Sequence, residues 1–303
     1  MSFRTRHPVL LGLTILAGIF LLFWGGISLL FTSAVGQRDT VDLFSIREGI
    51  GVVELKGLIV SPEETINTLT TFRKDEKVKA VLLRIDSPGG AVGASQEIFT
   101  EVLRTNKEKP VIASIGSVGA SGGYYAALGA EKIIANPGTL TGSLGVVVKF
   151  SNFAELFEKI GYKSEVIKSG LMKDIGAADR SMTQAERELV QKLIDNVHNH
   201  FVLAVVQGRH LPEETVRGLA DGRIFSGEQA LAVGLIDALG NFTDAVEQAA
   251  RLAGLDQQEP HLIYPEEKKY SLISLITGQM KQQALNTLLE YLPVLSFEWT
   301  GAL

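Results

Sequence analysis

An α/β domain with a mainly parallel sheet under helices, preceded by one transmembrane helix, is the fold this 303-residue sequence predicts. Three observations predict it. Apolar strand-like runs alternate with amphipathic helical runs from residue 50 to residue 253. A charge-free run of 23 residues, Val9–Phe31, lies ahead of them. Hydrophobic residues make up 46% and charged residues 21%, which supplies a core and excludes global disorder.

Val9–Phe31 would span about 34 Å as a helix at ~1.5 Å per residue, enough to cross a hydrocarbon core. Arg4 and Arg6 precede it, so the positive-inside rule keeps residues 1–7 in the cytoplasm and the rest outside. The alternative is a cleaved signal peptide, with Thr32-Ser33-Ala34 as its site, but such apolar regions run only ~7–15 residues. Residues 1–36 therefore read as cytoplasmic stub and anchor, and 37–47 as a polar tether. Residues 48–254 form the globular domain, and 255–303 an extension with an amphipathic helix at Leu272–Leu292.

Within the domain, Ile50–Leu55 and Gly57–Val60 read as a bent strand and Glu63–Arg73 as a helix with Ile66, Leu69 and Phe72 inward. Lys79–Asp86 is a strand ending in the turn Ser87-Pro88-Gly89-Gly90. Ala94–Thr105 is a helix. Val111–Ile115 is a strand that runs into a glycine-rich stretch and the helix Tyr124–Leu128. Lys132–Ala135, Leu144–Val148 and Ser164–Ile167 are further strands, with the helix Phe153–Ile160 between the last two. Thr183–Val206 is a long helix with a capping box, Thr183 and Glu186. Phe242–Ala253 closes the domain.

Composition narrows the chemistry. There is no cysteine, which excludes a disulfide scaffold, a thiol nucleophile and a thiolate metal site. A net charge of −5 argues against nucleic acid as a partner. Eleven of the 31 glycines fall between Gly89 and Gly145, about twice a proportional share. They follow predicted strands, where open α/β sheets place their sites. None of the clusters matches a phosphate loop, so backbone N–H groups forming an oxyanion hole are the alternative use.

Ser121 lies in Gly119-Ala120-Ser121-Gly122-Gly123, which matches G-x-S-x-G, a strand-to-helix turn that exposes a nucleophilic serine. The plainer reading is a serine cap in a glycine-rich turn. Its place between an apolar strand and an apolar helix favours the nucleophile. A base is then required. No histidine lies between His7 and His198, and His198, His200, His210 and His261 read as surface residues. Lysine can serve if its pKa falls from ~10.4 to ~7–8, which requires roughly 4 kcal/mol of destabilisation of the ammonium. Lys168 and Lys173 flank Ser169-Gly170-Leu171-Met172. Lys173 has apolar neighbours, Leu171, Met172 and Ile175, compatible with burial. These residues alone leave the choice between the two lysines open.

Together, four segments resemble the signal peptide peptidase A (protease IV) family of serine peptidases, in its short form with one catalytic domain. They are Asp86-Ser87-Pro88-Gly89-Gly90, Ala120-Ser121-Gly122-Gly123-Tyr124-Tyr125, Thr141-Gly142-Ser143-Leu144-Gly145-Val146 and Lys168-Ser169-Gly170-Leu171-Met172-Lys173-Asp174. Asp221-Gly222-Arg223-Ile224-Phe225-Ser226-Gly227 and Gly234-Leu235-Ile236-Asp237 are also similar. The likeness covers about residues 48–253. It implies a ClpP/crotonase-like spiral of ββα units and a Ser/Lys dyad without cofactor or metal. Ser121 falls on the nucleophile, Lys173 on the general base and Ser143 on the hydroxyl that orients the lysine. Gly89, Gly90 and Gly122 fall on the oxyanion hole.

The resemblance also implies unfolded or signal-peptide substrates, cleaved outside the cytoplasmic membrane, and a homo-oligomeric ring or dome. Because Ser121 and Lys173 stand in different loops 52 residues apart, the lysine serving a serine is expected from the adjacent subunit. Other classes are an acyl-CoA enzyme of the crotonase type, a Ser/His hydrolase of the α/β-hydrolase type and an inert peptide-binding scaffold.

Overall fold

Period-two alternation on the central strands decides how the sheet is buried. In the computed structural model, strand β2 (Val78–Ser87) turns Val81, Leu83 and Ile85 to one core and Ala80 and Leu82 to another. Strand β4 (Val111–Ala120) does the same with Ala113 and Ile115 against Ile112. Both faces are apolar because helices cover both, as a parallel sheet requires.

The structure describes residues 47–255, 260–265 and 296–298, and helical positions 16, 18 and 20–25. The chain divides into two compact units, 1–46 and 47–303. In the first unit, the described helical positions fall within the charge-free run, and Phe20 and Trp24 stack at 5.9 Å. The rest of the expected anchor, nearly all of the tether and the helix expected at Leu272–Leu292 lie outside the described residues. Among the described residues, no helix is long and apolar enough to cross a membrane.

The second unit is a mixed α/β fold. Its elements begin with β1 (Gly49–Lys56), helix α1 (Glu63–Lys74), β2, the short β3 (Gly89–Ala91) and α2 (Val92–Asn106). Strand β4, α3 (Gly122–Ala127), β5 (Lys132–Ala135), β6 (Leu140–Gly142) and α4 (Ala154–Lys159) follow. Then come α5 (Gln184–Arg209), α6 (Glu213–Leu219), β7 (Ile224–Ser226) and α7 (Gly227–Ala232). The last are β8 (Ala238–Leu239), α8 (Phe242–Leu252), β9 (His261–Ile263) and β10 (Ser296–Glu298).

The sheet runs β7-β6-β4-β2-β1-β9, with β5 paired to β4 and β8 paired to β5. Every pairing in it is parallel except β6 with β7. One face packs on Leu69 and Phe72 of α1, Ile98 and Val102 of α2, Tyr124 of α3 and Phe201 and Val205 of α5. The other packs on Ala245, Val246, Ala249 and Ala250 of α8. The Tyr124 hydroxyl donates to the Leu235 carbonyl at 2.6 Å inside the first core.

Strand β4 pairs with two strands on one side. Its first half, Ile112–Ile115, pairs with β5, and its second half, Val118–Ala120, pairs with β6. The change falls at Gly116-Ser117, where the β2–β4 register also shifts. Asp86, near the end of β2, accepts from the N–H groups of Ser117 and Val118 at 2.9 and 3.1 Å. A Cβ on Gly116 would lie 2.3 Å from the Asp86 carboxylate, so only glycine fits there.

Two expected strands are absent. Leu144–Val148 makes only an isolated bridge at Val147, and Ser164–Ile167 forms no strand among the described residues. From residue 151 to residue 173 no side chain is buried. The apolar run was strand-like locally, but the segment projects from the domain as an arm and meets no strand to pair with.

Asp86→Ala should remove both acceptors at the β4 bend and lower stability by about 1–3 kcal/mol. A thermal-denaturation midpoint equal to wild type would show that the bend holds without them.

Candidate active site

One residue joins β4 to α3, and it is Ser121. Its backbone sits at φ 53° and ψ −117°, outside the regions open to L-residues. Such a conformation costs of order 1–3 kcal/mol and persists only where neighbours hold it. They do here. The Ser121 N–H donates to the Gly142 carbonyl at 2.8 Å, and its carbonyl accepts from the Tyr125 N–H at 2.8 Å. The side chain is buried, yet Oγ has no hydrogen-bond partner among the described residues. Burying a hydroxyl unpaired is unfavourable, so a site for an incoming group is the economical explanation.

Ser143 is brought beside it by register. Ala120 pairs with Gly142 across the parallel β4–β6 ladder, so Ser121 and Ser143 each follow directly on the paired ends of adjacent strands. Ser143 is buried, has φ 52°, and its N–H donates to the Arg223 carbonyl at 2.8 Å. The Asp221–Gly227 segment thus supports the floor of the site through β7.

The Ser87–Gly90 turn lies at the end of β2, in register with β4 through Ser87 and Gly119. Its Ser87 hydroxyl donates to the Gly57 carbonyl at 2.6 Å and accepts from the Gly89 N–H at 3.1 Å. Gly89 therefore has its donor engaged within the turn. A Cβ on Gly90 would lie 2.1 Å from the Ile59 carbonyl, and one on Gly123 would lie 2.7 Å from the Ser87 carbonyl. These glycines let three chain segments close on the start of α3. Gly122 is the first residue of α3, where the helix offers its N–H no acceptor.

Lys173 is not brought to this cluster. It is exposed on the arm, and its ammonium makes no hydrogen bond or ion pair among the described residues. The burial expected from its apolar neighbours is not met within one chain: Leu171 is 82% and Met172 40% exposed, and Ile175 is only half-buried. Lys168 is engaged instead: its Nζ pairs with Asp174 at 2.5 Å and donates to the Leu171 carbonyl at 3.2 Å. The two lysines differ in their local contacts. Lys168 ties the loop, and Lys173 is left free.

Arg180 ties that loop to the domain. It bonds Asp174 and, through both terminal nitrogens, Glu186. Glu186 also accepts from the Thr183 N–H at 2.8 Å, closing the expected capping box of α5. The Arg180 and then Lys168 hydrogen bonds hold Asp174 well below the usual carboxylate range. Arg180 and the Thr183 N–H bring Glu186 down to about 2. Sequence reasoning found the cap but missed Arg180, because an arginine in a polar loop carries no local signature. The histidines contribute nothing at Ser121: His198 and His200 lie within α5, His210 ends it at φ 53°, and His261 is on β9.

A mixed α/β sheet with a strained serine at a strand-to-helix turn defines the class of serine hydrolases. The sequence profile of Peptidase family S49 matches residues 104–256, the span that holds Ser121, Ser143 and Lys173. A Synechocystis protein named as a protease is 44% identical over 236 residues, covering 77% of this chain and 84% of its own. The chloroplastic serine protease SPPA of Arabidopsis thaliana is 36% identical over 247 residues, 79% of this chain but 35% of its own. Protease 4 of Salmonella typhi is 33% identical over 257 residues, 80% of this chain and 41% of its own. The solved structure of a membrane-bound stomatin-specific protease aligns over 73% of this chain and 99% of its own, at 16% identity and a TM-score of 0.49. This chain belongs to Peptidase family S49 and is a serine peptidase, which bears out the resemblance carried by the four motifs.

The lowered carboxylates set a pH test. A carboxylate with a depressed folded pKa adds stability above its unfolded value and loses it as pH falls through the folded one. The thermal midpoint should therefore drop between about pH 4.5, the ordinary glutamate value, and about pH 2. Arg180→Ala should flatten that slope. An equal slope in wild type and variant would remove Arg180 as its cause.

Proposed function

We propose that this chain is a membrane-anchored endopeptidase with a Ser121/Lys173 dyad, which degrades cleaved signal peptides and other unfolded apolar peptides outside the cytoplasmic membrane. The observation that carries the reading is Ser121: buried, strained at a strand-to-helix turn and with an unpaired Oγ. In this mechanism Ser121 Oγ attacks the scissile carbonyl carbon and gives its proton to neutral Lys173 Nζ. The oxyanion accepts from the N–H groups of Gly122 and Gly90, Gly89 being engaged by Ser87. Lys173 then protonates the departing amine. Water hydrolyses the acyl-Ser121 ester, losing its proton to Lys173 and restoring the Ser121 hydroxyl. Ser143 orients the lysine.

The scaffold reading is the ClpP/crotonase-like spiral, supported by the way β4 passes from β5 to β6. An assembly is part of the proposal. The exposed arm carries Ile160, Val166, Ile167 and Leu171, apolar surface of the kind subunit contacts cover. In a ring or dome, the arm of one subunit would bring its Lys173 to the Ser121 of the next. Seating there would also desolvate the ammonium, which the single chain leaves in water. Val9–Phe31 supplies the anchor, with the N-terminus inside and the catalytic domain extracytoplasmic.

Ser121→Ala and Lys173→Ala should each abolish cleavage of an unfolded apolar peptide, and Lys173→Arg should fail too because guanidinium stays protonated. Mixed oligomers of Ser121→Ala and Lys173→Ala chains should recover part of the activity. No recovery in verified mixed oligomers would reject the shared dyad. Full activity of Lys173→Ala, or no labelling of Ser121 by a fluorophosphonate, would reject the dyad itself.

A further inference from the structure

The turn beside Ser121 is built from residues that do not hold their own shape. Gly89 and Gly90 sit at φ 109° and 157°, where a side chain rarely fits and glycine moves freely. Pro88 has no N–H to tie it down. Neighbours must therefore fix the peptide that the two glycines share. After Gly89 the backbone does so. The Ile59 N–H donates to the Gly89 carbonyl at 2.8 Å, the Ile59 carbonyl accepts from the Ala91 N–H at 2.7 Å, and β3 also pairs with β10. Before Gly89 a side chain does so. The Ser87 hydroxyl accepts from the Gly89 N–H at 3.1 Å and donates to the Gly57 carbonyl at 2.6 Å. Ser87 is fully buried, and its carbonyl closes on α3 so tightly that a Cβ on Gly123 would lie 2.7 Å away. One hydroxyl thus joins the Gly57 bend to the Gly89–Gly90 turn, from a strand end packed on the start of α3.

We infer that Ser87 is a positioning residue for peptide hydrolysis: its hydroxyl turns the Gly89 N–H inward and so fixes the Gly89–Gly90 peptide in the orientation that presents the Gly90 N–H to the oxyanion. The inference rests on the oxyanion-hole reading of Gly90 and Gly122. Without the hydroxyl, the Gly89 N–H is buried and unpaired, a cost the turn relieves by rotating toward another acceptor. That rotation carries Gly90 with it. The fold does not depend on the hydroxyl, because Ser87 pairs with Gly119 through its backbone.

Removing an oxyanion-hole donor outright costs about 10²–10³ in kcat. A donor left in place but loosened costs less, so Ser87→Ala should lower kcat on an unfolded apolar peptide about 10–100-fold and leave KM within about twofold. Acylation and deacylation both pass through an oxyanion, so the loss falls on kcat whichever step limits. A peptide aldehyde, bound by addition of the Ser121 O–H across its C=O bond, should lose affinity by the same factor. Ser87→Cys, whose thiol is a poor donor and acceptor, should lose at least about threefold in kcat, and it carries the test if Ser87→Ala does not fold. Ser114→Ala is the control. It deletes a buried hydroxyl that accepts from Arg84 at 2.9 Å, on the α8 face of β4, and should lower the thermal midpoint while sparing kcat. Wild-type kcat in the folded Ser87 variants, or an equal loss in Ser114→Ala, would overturn the inference. Amide exchange separates it from the oxyanion reading. The Gly89 N–H should exchange at least about tenfold faster in Ser87→Ala than in wild type, and equal rates would also overturn the inference. Faster exchange beside a wild-type chain that binds no aldehyde would keep the hold of Ser87 on the turn and reject the oxyanion reading instead.

Discussion

The site depends on one constraint: β4 must leave β5 and join β6 without losing its place beside β2. Asp86 meets that constraint by accepting both N–H groups at the bend, and Gly116 makes room for its carboxylate. Everything downstream inherits the geometry. The β4–β6 register sets Ser121 next to Ser143. The β2–β4 register sets the Ser87–Gly90 turn against the first residues of α3. Three strand ends meet because one strand bends.

The strain at Ser121 is held by the same framework. Its N–H and carbonyl are bonded to β6 and to α3, so the Ser121 backbone cannot relax without breaking an element boundary. Preorganisation of this kind is stored in the fold rather than assembled when a substrate arrives. The proposed base is treated in the opposite way. Lys173 is carried on an exposed arm whose root is clamped by Lys168, Asp174, Arg180 and Glu186. One half of the proposed dyad is rigid in the domain and the other is presented outward.

Much of this was legible in the sequence where chemistry is local. The α5 capping box and the G-x-S-x-G turn are short-range patterns, and each stands where its residues put it. Strand alternation on β2 and β4 reported a sheet covered on both faces. What escaped were features set at long range. Strands β6, β7 and β8 have two or three residues each and exist only because a neighbour pairs with them. Ser164–Ile167 failed for the converse reason: a strand-like run with no neighbour. The Arg180 clamp and the β10–β3 pairing join residues whose proximity no local period encodes. The ion pair that engages Lys168 likewise joins it to a residue six positions away in a loop with no regular period.

Glu186 has a consequence of its own. A single carboxylate closes the first turn of α5 and, through Arg180, fastens the root of the arm. Helix initiation and arm anchoring are therefore one cooperative event, not two. Loss of the Glu186 carboxylate would therefore release the start of α5 and the Asp174–Arg180 loop at once. The fraying of one helix end thus sets how firmly the exposed loop beyond it is held.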